Sequence, residues 1–136
     1  MAVEDLTDDE LLRAFESCEL TGTAFRHREH LRVAWLYLRR LPPEAAAEAM
    51  AKGIRRYATH HGAAEKYNHT MTLIWMKLVA AAMAAHPDED FDGLLRVHPA
   101  LLDKLTPGRF YSTERLQSPQ ARAGWLEPDL RALPAA

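Results

Sequence analysis

Hydrophobic residues recur along most of this chain at three- and four-residue intervals, and no segment alternates convincingly with a period of two. The pattern therefore predicts helices throughout. Leu11, Leu12, Phe15 and Cys18 form the first apolar stripe, and Thr7-Asp8-Asp9-Glu10 before it has the capping-box form, so the first helix begins at Thr7. Thr21-Gly22-Thr23 interrupts the pattern. A second helix covers about 25 to 40, with Leu31, Ala34, Trp35, Leu38 and Leu41 inward and Arg28, Arg32 and Arg39 on the other side. Pro42-Pro43 stops it, and Pro43 suits the first position of a third helix, about 43 to 61, which Gly62 closes. A fourth helix, about 64 to 86, carries only Lys77 as a charge between Met71 and Ala85. A helix apolar nearly all round is buried on several sides, so this one reads as the central element.

Beyond His86-Pro87-Asp88 the elements shorten. The pattern predicts a helix over Phe91–His98, a further helical turn over Pro99–Lys104, a turn at Pro107-Gly108 and a last short helix from Ser118-Pro119 to Trp125. The end is extended, and Trp125, Leu126, Leu130 and Leu133 predict that it docks. The fold expected is all-α: a single domain over 1–136, a bundle of four to five helices with an extended C-terminal tail packed on the body.

Composition narrows the function classes. At 136 residues the chain can bury a core without covalent help. The lone cysteine, Cys18, excludes an internal disulfide and Cys-rich zinc sites, and Glu16 and Glu19 beside it disfavour a nucleophilic thiolate. A net charge of −2 argues against a large nucleic-acid footprint. No apolar run reaches membrane-spanning length, and the acidic opening MAVEDLTDDE has no apolar leader core, so a cytoplasmic protein without a membrane role is expected. No phosphate-binding glycine loop, nucleophile elbow or dinucleotide fingerprint occurs.

The candidate chemistry lies in the histidines. His27 and His30 stand three apart on the second helix, and their row continues through Leu31, Ala34 and Leu38, the inner face. His69 opens the central helix on a row with Thr72, Leu73 and Met76. A polar ring on an apolar face is costly unless paired, so these three imidazoles are expected to converge. Together they could bind one divalent transition metal (zinc, copper or iron), which would activate water or polarise a substrate. Without metal, a histidine would act as general acid or base. Glu29 projects elsewhere. Tyr67, Asn68 and Thr72 are the expected substrate contacts, with Trp35, Trp75, Met71 and Met76 as core or as an apolar wall. Tyr111 and Arg115, on a returning loop with Ser112 and Glu114, either line a pocket, where Arg115 could hold an anionic group, or tie the tail down. His60-His61, His86 and His98 sit at helix ends and read as structural punctuation.

Several segments carry a resemblance. They are Phe25-x-His27-x-x-His30-Leu31-x-x-Ala34-Trp35, Tyr67-Asn68-x-Thr70-x-Thr72-x-x-Trp75, Tyr111-Ser112-x-Glu114-Arg115-Leu116-x-Ser118-Pro119-x-Ala121-Arg122 and Pro128-Asp129-Leu130. Over about residues 20 to 133 the chain resembles a group of small bacterial helical proteins. Many members of that group place a histidine directly after the tyrosine, where this chain has Asn68 and then His69. The resemblance implies a bacterial helical protein and carries no activity with it.

Three functions fit. The first is a metal-binding or histidine-assisted enzyme acting on a small molecule, with His27, His30 and His69 as ligands or acid/base groups. The second is a non-catalytic helical module that binds a ligand or a protein. The third is a helix-turn-helix DNA-binding domain, suggested by the Thr21-Gly22 break and by Arg26, Arg28 and Arg32, and opposed by the apolar Trp35-Leu36-Tyr37-Leu38 stretch. Oligomeric state stays open.

Overall fold

The structure is a computed structural model that describes residues 2–136. Among the described residues it is all-α, with seven α-helices and no strand. They are α1 (Asp8–Glu16), α2 (His27–Arg40), α3 (Pro43–His60), α4 (His69–Ala85), α5 (Phe91–Val97), α6 (Thr113–Leu116) and α7 (Pro119–Ala123), joined in part by single 3-10 turns. The count exceeds the four to five expected because the chain after α5 folds into brief capped turns. The chain gathers into two compact units, Met1–Tyr67 and Asn68–Ala136. No helix among the described residues is long and apolar enough to cross a membrane.

In the N-terminal unit, α1 begins as its capping box dictates. The Glu10 backbone N–H donates to Thr7 Oγ1 at 3.2 Å, and the Thr7 N–H donates to Glu10 Oε1 at 2.8 Å. The helix ends with Cys18 in the left-handed region, φ +65°, where glycine is usual. This reversal lets Glu19 and Leu20 donate back to the Ala14 carbonyl and buries the Cys18 thiol. α1 and α2 both pack on α3. The closest approach is at Gly53, where any Cβ would overlap the fully buried Phe15 ring. Gly53 weakens the helix locally, and the gain is a seat for an aromatic ring.

Arg32 departs from the expected outer basic face. Its side chain is 13% exposed and donates to the Leu6 carbonyl and to Asp8 Oδ1, at 2.8 and 2.9 Å. Its apolar stem lies along the protein while its head finds an anion at the start of α1, the usual way a long cation is half-buried. Leu41, expected inward, is more than a third exposed, because the chain turns extended there ahead of Pro42. Residues 17–26 separate α1 from α2, far more than the roughly three- to four-residue turn of a helix-turn-helix.

In the C-terminal unit, α4 starts at His69 rather than near 64. Ala64–Lys66 form a separate 3-10 turn, and Asn68 is extended and caps α4, its Oδ1 accepting from the Met71 N–H at 2.9 Å. An asparagine that caps competes with helix propagation through itself. α6 has no apolar stripe of its own; Ser112 starts it by accepting from the Arg115 N–H. Ser118 does the same for α7 through the Ala121 N–H. The tail after Gly124 is tied to this unit: Leu130 N–H donates to the Phe110 carbonyl at 2.9 Å, and Leu126 N–H donates to Thr70 Oγ1 at 3.1 Å.

Candidate functional site

His27 is the first residue of α2, with His30 one turn on, and both rings are half-buried. The His30 ring stacks on Phe25 with centroids 3.9 Å apart and planes 16° from parallel. Phe25 in turn meets Phe15 and Tyr57, and Tyr57 meets His61 at 4.2 Å. His30 and His61 thus flank an aromatic row inside the N-terminal unit. The Tyr57 hydroxyl donates to the Leu20 carbonyl at 2.9 Å; burial and then the Cys18 thiol hold its pKa above the ordinary phenol range. Glu29, between the two histidines, is buried and accepts from the Arg26 N–H at 3.1 Å, completing the start of α2. His69 belongs to the C-terminal unit, half-buried at the first position of α4. Among the described residues, no three His, Cys, Asp or Glu side chains gather in a way that could hold a metal ion.

The polar opening of α4 has a structural use. Asn68 caps the helix and also donates through Nδ2 to the Leu116 carbonyl at 2.7 Å. Thr70, fully buried, donates to the Gly124 carbonyl at 2.6 Å and accepts from Leu126. Thr72 Oγ1 donates to the Asn68 carbonyl at 3.1 Å. Each hydroxyl or amide therefore has a backbone partner, as buried polar groups require. Tyr67 is half-buried under the Arg55 guanidinium, 4.9 Å from its centroid. Trp35 and Met76 are buried, while Trp75 and Met71 are half-buried; Arg39 lies 4.6 Å over the Trp35 ring.

Arg115 does line a cleft. An open depression of about 460 Å³ in the C-terminal unit is bordered by Ser112, Glu114, Arg115, Ser118, Gln120, Leu126 and Asp129. Arg115 Nε donates to the Glu127 carbonyl at 2.6 Å, which fixes the guanidinium against the tail. Asp129 accepts from the Ser112 hydroxyl at 2.7 Å and from the Ser112 N–H at 2.8 Å. These two bonds hold its carboxyl below the usual range, so it is ionised at neutral pH. Tyr111, paired with Arg115 by the sequence, is 1% exposed and does not border the cleft; its hydroxyl donates to the Leu126 carbonyl at 2.6 Å. Burial, and then the negative charge of Glu127, pushes its pKa up to about 12. Tyr111 fastens the tail, and Arg115 both fastens it and faces the cleft.

One further juxtaposition joins two helix ends. His86 Nδ1 and His98 Nε2 lie 2.8 Å apart, with ring planes at 72°. Burial, and then the adjacent His86, lowers the His98 pKa. The available signal was a repeated dipeptide, His86-Pro87 and His98-Pro99, each closing a helix. Comparison of the chain with protein-family models, curated proteins and solved structures finds no match.

Proposed function

We propose that this chain is a small cytoplasmic bacterial protein that binds a small polar molecule in the cleft beside α6 and α7. The observation that carries this reading is Arg115. Its Nε is anchored to a backbone carbonyl, which leaves the terminal amino groups of a positioned fork on the wall of a 460 Å³ cleft. Such a fork suits a carboxylate or phosphate oxygen pair. Glu114 and the ionised Asp129 border the same cleft and call for hydrogen-bond donors or a cation at the other end of the ligand. A small zwitterion or an amino-bearing phosphate ester meets both demands.

Isothermal titration against amino acids, amino sugars and their phosphate esters tests this. A binder should lose about 10- to 100-fold in affinity on Arg115→Gln, the worth of a charge-assisted hydrogen bond, and should also weaken on Glu114→Gln. Unchanged affinity in a folded Arg115→Gln protein would remove the assignment.

A second reading keeps the histidines as metal ligands or acid/base groups on a small substrate. It is favoured by His27 and His30 sharing the first turn of α2, with His30 fixed flat on Phe25. Metal analysis of untagged protein beside a His27→Ala/His30→Ala double variant tests it. Near-stoichiometric metal that is lost in a folded variant supports the reading. Metal content identical in both proteins defeats it.

A further inference from the structure

His86 and His98 stand at equivalent places. Each ends a helix, α4 and α5 respectively, and each donates its backbone N–H to the carbonyl four residues back. Each has nearly the same backbone conformation, φ −136° and −128° with ψ 67° in both. The cause is local and shared, since a following proline disfavours the helical conformation of the residue before it. Two helix ends therefore present two imidazoles toward one another, with His86 exposed and His98 half-buried.

The ring nitrogens are 2.8 Å apart. Two ligands at a right angle around a metal, with bonds of about 2.0 Å, stand about 2.8 Å apart; a tetrahedral angle would part them to about 3.3 Å. The existing separation is that of an N–H···N hydrogen bond, and it also equals the spacing of two cis positions of a tetragonal ion, so a small turn of the rings lets an ion take the place of the shared hydrogen. We propose that His86 and His98 form a binding site for a tetragonal divalent transition-metal ion, Cu(II) before Ni(II), with water in the remaining positions. Copper leads because it binds nitrogen ligands most tightly among these ions.

The proton balance is simple. In the metal-free pair, one of the two facing nitrogens carries the shared hydrogen. Binding moves that proton to the far nitrogen of the same ring, by exchange with solvent, and both rings remain neutral. The connection after His86 carries Asp88, Glu89 and Asp90, negative charge that favours a cation nearby. This site shares no residue with the Arg115 cleft or with His27, His30 and His69, so its test is independent of both readings above.

The experiment is titration of the 136-residue protein with Cu(II), followed by electron paramagnetic resonance and calorimetry, with Ni(II) and Zn(II) for comparison. The expected result is one equivalent of Cu(II) whose spectrum shows coupling to two imidazole nitrogens. His86→Ala and His98→Gln should each weaken that equivalent at least about tenfold, since even outer-sphere losses cost that much. A His60→Gln protein, changed at an exposed histidine outside every site described above, should bind as the parent does. Copper that binds equally well to folded His86→Ala and His98→Gln proteins would overturn the assignment. So would failure of the parent to take up more copper than they do.

Discussion

The two halves of the molecule are held together differently. The N-terminal unit is built from long helices that bury apolar stripes: Leu11, Phe15, Leu31, Val33 and Leu36 are all 1% exposed or less. The C-terminal unit has one long helix and then a series of brief turns, and side chain-to-backbone hydrogen bonds secure much of it. Asn68 reaches Leu116, Thr70 reaches Gly124, Tyr111 reaches Leu126 and Arg115 reaches Glu127. A helix of four or five residues cannot stabilise itself, since nucleation costs more than so few bonds return. Short segments need specific polar ties, whereas long amphipathic helices need mainly a face.

That contrast can be broken from either side. The largest effect is expected from Phe15→Ala, which empties the aromatic row under Gly53 and Phe25; a loss of about 3–5 kcal/mol by urea denaturation follows from deleting a buried ring. A loss under about 1 kcal/mol would show that α1 is only loosely seated. Thr70→Val comes next. It keeps the shape and strands the Gly124 carbonyl and the Leu126 N–H, at roughly 1–3 kcal/mol. Hydrogen exchange should show faster exchange over residues 124–131, with α1 to α3 unaffected. Gly53→Ala sharpens the comparison further, because helix propensity alone predicts a gain of about 1 kcal/mol. The Phe15 ring predicts instead a loss of about 1–3 kcal/mol from overpacking. A stabilised protein would mean that Phe15 moves freely aside.

The smallest effect concerns pH. The Asp129 carboxyl is held below its ordinary value by Ser112, so its contribution is present above about pH 4 and is lost as pH falls through the lowered value. Exchange of the Ser112 amide should accelerate in acid, and Asp129→Asn should flatten that dependence. An identical acid profile in the variant would assign the acid sensitivity to other groups.

The sequence legibly predicted the long elements. The capping box at Thr7 and the Pro42-Pro43 stop both lie where the sequence put them, because each is a local backbone requirement. Asn68-His69-Thr70 was ambiguous for a physical reason. A cap, a tail anchor and a substrate contact all use the same polar atoms, and only the partner distinguishes them. In the sequence Arg115 is a polar group near a turn that suits either a tail anchor or a pocket wall; the fold gives it both a carbonyl partner and a cleft. His86 and His98 read separately as helix ends, which each is. Their meeting depends on how the chain after α4 turns back.

The sequence by itself determined helix type and the principal stops, since these follow from periodicity, proline and capping within a few residues. It also determined that no disulfide within the chain could staple it. The tertiary structure decided which polar groups met one another. Thr70 met Gly124 and Leu126 across more than fifty residues, Ser112 met Asp129, and His86 met His98. The physical reason is range. Backbone preferences act over one or two turns, whereas a hydrogen bond between distant residues forms only after packing has brought its two ends within about 3 Å.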